Sequence, residues 1–184
     1  MPLPFRIMPV REEEVLRRSA LLDPSEEELE LYRECRRDSE YLLEYRITER
    51  NRPLSVLTDD FLKTKMDACD AVIIFTAFLG DAFEELVESR DEPEKDILYR
   101  GLAAERMDAL IESYLDYKER VLAKEGAALT PHYPCRWEDV PENAFRTTRC
   151  VGVSFHPDER FESRCRSCFA ENCPSRKAEA KTEG

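Results

Sequence analysis

Five of the seven cysteines fall late in the chain, at Cys135, Cys150, Cys165, Cys168 and Cys173. The densest stretch reads Cys165-Arg166-Ser167-Cys168-Phe169-Ala170-Glu171-Asn172-Cys173-Pro174. In a chain that shows no secretory leader, thiolates this close more often share a metal than form disulfides, because one ion or cluster replaces the core a loop cannot build. Cys165 and Cys168 are spaced to chelate from one turn, and Cys150 and Cys173 complete a set of four. Cys150, Cys165, Cys168 and Cys173 are therefore the expected ligands. Cys135 is the spare thiol, able to stand in for Cys150 or to act as a redox-active residue. His132 and His156 lie close enough in sequence to replace one cysteine.

Two metals suit this set. Zinc accepts four such ligands in a closed tetrahedral site. The clustered cysteines, with a proline directly after the last, also resemble the cysteine runs of bacterial ferredoxins, which implies an iron–sulfur cluster. The gap between Cys168 and Cys173 departs from that run, and no second cluster motif is present. Zinc and iron–sulfur both stay open. Disulfides are a third reading: the chain has no glutamine, three asparagines and abundant Glu and Arg, a balance seen in thermophile proteins. Intracellular proteins of hyperthermophiles do carry disulfides.

The same region interleaves Trp137, Phe155, Phe161 and Phe169 with Arg136, Arg146, Arg149, Arg160, Arg164 and Arg166. Zinc knuckles that hold single-stranded nucleic acid combine rings and cations in this way. The preferred reading is plainer, with the rings as a small core around the metal and the arginines paired to Glu159, Glu162 and Glu171. Cys35 and Cys69 lie in stretches expected to be helical and read as small buried hydrophobes.

A second chemistry is written in carboxylates. Glu84-Glu85-Leu86-Val87-Glu88 followed by Glu105-Arg106-Met107-Asp108 resembles the acidic pattern of the all-α nucleoside triphosphate pyrophosphatases. The resemblance implies magnesium held by Glu84, Glu85, Glu88, Glu105 and Asp108, positioning a triphosphate and a water. It covers some 25 residues and leaves the cysteine segment unexplained. Other chemistries are not supported. Both histidines lie outside the expected helices, which excludes a Glu-x-x-His di-iron bundle site, and the five glycines form no phosphate loop.

Composition narrows the class further. With 184 residues, 42% of them hydrophobic, the chain can bury a real core. A net charge of −12 argues against a general binder of nucleic acid or anionic membrane. From residue 143 onward eight Lys/Arg face six Asp/Glu, a local +2 that leaves −14 on the first 142 residues. The longest apolar run, residues 71–80, is about half of a bilayer span and is bracketed by Asp70 and Asp81. A soluble, cytoplasmic protein is expected.

The elements that must position these groups read as helices. A proline-rich arm, residues 1–10, precedes a short helix over 11–22. Ser25 with Glu28 forms a capping box for a second helix running to about residue 51, closed by Pro53. Thr58 caps a third helix over 58–90, whose apolar middle, 71–79, is surrounded by other helices. Asp67 and Asp70 at its edge are expected to pair with an arginine. Pro93 opens a fourth helix, with Leu98, Leu102, Leu110, Tyr114, Val121 and Leu122 inward and Gly126 as terminator. Residues 151–155 alone suggest a short extended segment.

The expected fold is thus all-α, an antiparallel helical bundle with an irregular cysteine-rich C-terminal tail folded around a metal site. It divides into an arm (1–10), the bundle (11–126), the metal-binding segment (127–174) and a frayed end (175–184). The function expected is that of an assembly or interaction protein, or a small redox subunit, carrying an iron–sulfur cluster or zinc. Its partner would be another protein, with nucleic acid disfavoured and no membrane. A magnesium-dependent hydrolase is the alternative, and a nucleic-acid-associated protein using the basic, aromatic tail is the second.

Overall fold

The computed structural model describes residues 2–89, 91–136, 142–159 and 161–164. The order of elements is α1 (Glu12–Arg18), α2 (Glu26–Glu40), β1 (Arg46–Arg52), α3 (Asp60–Lys65), β2 (Ala71–Phe78), α4 (Asp81–Glu88), α5 (Pro93–Leu122), β3 (Ala128–Leu129), β4 (Tyr133–Pro134) and β5 (Arg146–Ser154). The strands form one five-stranded antiparallel sheet in the order β1-β2-β5-β3, with β4 also paired to β5. Mixed α and β structure replaces the expected all-α bundle.

The structure departs most from the expected bundle at residues 58–90. One long helix was expected there, whereas the chain makes α3, then strand β2, then α4. A continuous apolar run does not show whether it belongs to a buried helix or a buried strand. Here the β-branched Val72, Ile73, Ile74 and Thr76, with Phe75 and Phe78, favour the strand. β2 lies inside the sheet, and residues 72–75 and 77–79 are all buried, so no alternation survives to mark it. The expectation that this stretch is deeply buried holds; its secondary structure does not.

The second helix also stops early. α2 begins at Ser25 with both halves of the capping box present, then ends at Glu40. The amides of Leu42 and Leu43 return to the Ser39 carbonyl, and the Glu44 amide donates to the Leu79 carbonyl at 2.8 Å. From Arg46 the chain is an edge strand, mostly exposed and charged, as protected edges are. Asp59 rather than Thr58 caps α3, its carboxylate accepting from the amides of Phe61 and Leu62. α5 begins at Pro93 as expected, and its end is completed by Gly126 at φ 75°, a left-handed conformation that glycine adopts without penalty. Val121, expected inward, is exposed.

Two compact units can be distinguished, each assembled from three stretches of chain. The first comprises Met1–Glu49, Phe75–Lys118 and Arg136–Arg149. Its core is built on α5, where Leu98, Leu102, Leu110 and Leu115 are fully buried. Phe75 packs on Tyr114 with ring centroids 4.7 Å apart, and Phe83 meets Tyr99 and Phe145 edge-on. The arm is fastened by hydrogen bonds from the Arg106 guanidinium to the carbonyls of Met8 and Pro9. Phe5 stacks on Tyr117 at 5.5 Å.

The second unit comprises Arg50–Ile74, Glu119–Cys135 and the chain from Cys150 onward. β3 pairs with β5 through Ala128↔Ser154 and Leu129↔Val153. The Thr130 amide donates to the Gly152 carbonyl, and the Gly152 amide donates to the Thr130 hydroxyl. Asp70, expected to meet an arginine, instead accepts the Phe155 amide at 2.7 Å, while its own amide donates to the Val153 carbonyl. Its carboxylate therefore fixes β5 where the chain enters β2.

Candidate functional site

Of the four expected ligands, only Cys150 lies within the described residues; Cys165, Cys168 and Cys173 lie outside them. Cys150 is fully buried within β5, and Cys135, directly after β4, is also buried. Because β4 pairs with β5, the expected ligand Cys150 and its expected substitute Cys135, which directly follows β4, are brought to neighbouring strands. The tail expected to be irregular is therefore partly sheet, and Cys150 is a strand residue.

A third thiol joins this region. Cys69 was expected on a helical face; it sits after α3, just before β2, and a Cβ built on Gly152 would lie 2.5 Å from its sulfur. Residues two apart on a strand share a face, so Cys69 lies over the face of β5 to which Cys150 belongs, about 7 Å further along the strand. Nothing local in the sequence announces this pairing, which depends on strands distant in the chain. Burial pushes the Cys69 thiol up to about 11, with Asp70 and Asp67 adding to the effect. Burial likewise raises Tyr133, and the charges of Glu162, Cys150 and Cys69 reinforce the shift.

Beside Cys69 is a cavity of about 170 Å3 whose lining includes Asp67, Lys65, Thr130, Phe161 and Glu162. Phe161 is buried, Glu162 lies 3.8 Å from Lys65, and Arg164 holds Glu119 at 3.0 Å. The chain is thus anchored in the second unit up to the residue before Cys165. Among the described residues, no three His, Cys, Asp or Glu side chains form a group able to hold a metal ion. The described thiols do not build a metal centre by themselves.

The rings and arginines divide. Phe161 is buried, and Arg164 pairs with Glu119 rather than with one of the tail glutamates expected. Arg146 lies over the Phe78 ring at 4.4 Å with Asp81 3.8 Å away, and Arg149 is 3.8 Å from Glu142. Phe155 is exposed, while Trp137, Arg160, Arg166 and Phe169 lie outside the described residues.

Three of the five carboxylates of the magnesium reading already have partners. Glu105 is fully buried and chelated by Arg106, with Nε at 2.6 Å and Nη2 at 2.9 Å, and it also accepts from Arg11. Asp108 pairs with Arg18, and Glu84 accepts from the Asn143 amide group. Glu85 and Glu88 are exposed on α4. Fully buried and held by the guanidinium groups of Arg106 and Arg11, Glu105 is engaged in a structural ion pair.

Cys35, on α2, is fully buried with its thiol raised to about 11 by burial, which suits the inert packing role expected of it. No protein-family model matches the chain, and no curated protein sequence matches it. No described helix is long and apolar enough to cross a membrane.

Proposed function

We propose that the protein binds an iron–sulfur cluster or zinc through Cys150, Cys165, Cys168 and Cys173, and serves in the cytoplasm as an assembly or interaction protein or a small redox subunit. The supporting observation is the anchoring of the chain beside the described thiols. Buried Phe161 and the Arg164–Glu119 ion pair tie the stretch that leads into Cys165 to the unit containing Cys150, Cys135 and Cys69. The described chain that leads to the cysteine run is thus held in the same unit as Cys150. Zinc would supply a closed structural cross-link; a cluster would supply one-electron transfer.

Anaerobic purification followed by iron, sulfide and zinc analysis, with an absorption spectrum, tests this reading. Brown protein with iron and sulfide supports the cluster, and colourless protein with zinc supports the staple. The Cys165→Ser/Cys168→Ser variant is expected to lose the metal in either case. Stoichiometric metal in that variant, or metal-free wild-type protein, overturns the proposal.

A further inference from the structure

In the first unit, the turn between α1 and α2 and the first turns of α5 enclose a cleft of about 610 Å3. Leu21, Leu31, Ile97 and Leu98 give it an apolar lining. Ile97 is 50% exposed, and Leu22, next to the lining residue Leu21, is 83% exposed. Among the described residues the lining contains no lysine or arginine, and its charged members are Glu27, Glu28, Glu30, Glu34 and Glu94. Glu28 serves the capping box, Glu30 holds Arg33 and Glu34 holds Lys95. Glu27 and Glu94 make no ion pair among the described residues.

The arrangement of these charges identifies an occupant. Glu27, Glu30 and Glu34 follow the three-and-four spacing of one helix face, a stripe about 10 Å long, or two turns. Carboxylates strung along a wall do not converge as a cation site requires. They match cations that are themselves repeated along an axis. The apolar lining asks for a hydrophobic side chain between those cations, and the exposed Ile97 and Leu22 extend the apolar surface. Self-association is opposed by the −12 charge of each copy.

We propose that this cleft docks a basic amphipathic helix of a partner protein. One apolar side chain enters between Leu31 and Ile97, and lysines or arginines of the same helix align with Glu27, Glu30, Glu34 and Glu94. This is helix-in-groove recognition with a charged rim that sets encounter rate and register.

The test uses the full chain and a fluorescein-labelled amphipathic helix composed only of leucine, lysine and alanine, followed by anisotropy at low and high salt. Saturable one-to-one binding that weakens with salt is expected. Glu27→Gln/Glu94→Gln should weaken it about tenfold at low salt, and Ile97→Ser about tenfold at both salts. Glu85→Gln/Glu125→Gln, an equal charge change outside the cleft, should leave binding unchanged. Ile97 is half exposed, so its replacement does not threaten the fold, and circular dichroism confirms this for each variant. Absence of binding overturns the proposal. So does an equal loss in the control variant, which would make the attraction general acidity. Binding indifferent to Ile97→Ser removes the apolar anchor, and dimerisation abolished by that substitution would assign the cleft to a second copy instead.

Discussion

The sulfur of Cys69 occupies the space that any side chain at Gly152 would need. A Cβ on Gly152 would lie 2.5 Å from that sulfur, 3.1 Å from Thr130 Cγ2 and 3.3 Å from Met66 Cγ. All three neighbours are buried. Gly152→Ala is therefore expected to destabilise the protein by about 1–3 kcal/mol through overpacking. Adding Cys69→Ala should recover part of that loss, because the nearest clash is removed. Urea unfolding of the two single variants and the double gives the coupling. Strict additivity would show that Cys69 does not rest on Gly152.

Ala20 is the one described residue other than glycine with positive φ, at 60°. It follows the C-cap of α1 in a Schellman arrangement: the Leu21 amide returns to the Leu16 carbonyl and the Ala20 amide to that of Arg17. A Cβ in the left-handed region costs about 1 kcal/mol, partly offset by the greater entropy that glycine loses on folding. Ala20→Gly should thus stabilise the native state by up to about 1 kcal/mol. A lower urea midpoint for the variant would contradict this reading of the turn.

The features legible in the sequence were those written in contiguous residues. Ser25 with Glu28, Pro93 at the start of α5 and Gly126 after its end each satisfy a local backbone requirement, and each is found in place. β2 was missed because a strand covered on both faces loses its alternation and looks apolar throughout. β1 was missed for the opposite reason: an exposed, charged edge has little apolar pattern to read. At the candidate site, Cys150 was singled out from spacing alone. Its strand setting depends on pairing with β2, β3 and β4, and the presence of Cys69 above Gly152 on a contact between residues 83 positions apart.

The Glu105–Arg106 pair is a sharper test of where stability resides. Both side chains are almost completely buried, and Arg106 also donates to the Met8 and Pro9 carbonyls. Arg106→Met leaves a buried carboxylate with only Arg11 as cation and removes the two guanidinium hydrogen bonds to the arm. A loss of about 3–5 kcal/mol is expected, with faster proteolysis near Pro9. Glu105→Met/Arg106→Met should be less destabilised than Arg106→Met alone, since no unpaired charge remains. A double variant as unstable as the sum of the singles would show that packing, not charge, dominates.

The buried thiols make stability sensitive to alkali. Burial raises both Cys35 and Cys69 from an ordinary value of 9.0 to about 11. A raised thiol pKa means that the native state favours the neutral form, so the contribution is complete below pH 9. Between pH 9 and about 11 the unfolded chain ionises first, and stability falls as pH rises. Urea unfolding across that range should show a steeper decline for the wild type than for Cys35→Ala/Cys69→Ala, after allowing for the lower starting stability of the variant. At pH 8 the native protein should resist iodoacetamide at both positions, because the thiolate is the reactive species and neither sulfur forms it. Equal alkaline slopes, or rapid labelling of Cys69 at pH 8, would mean that water reaches these sulfurs and that the packing above Gly152 is open.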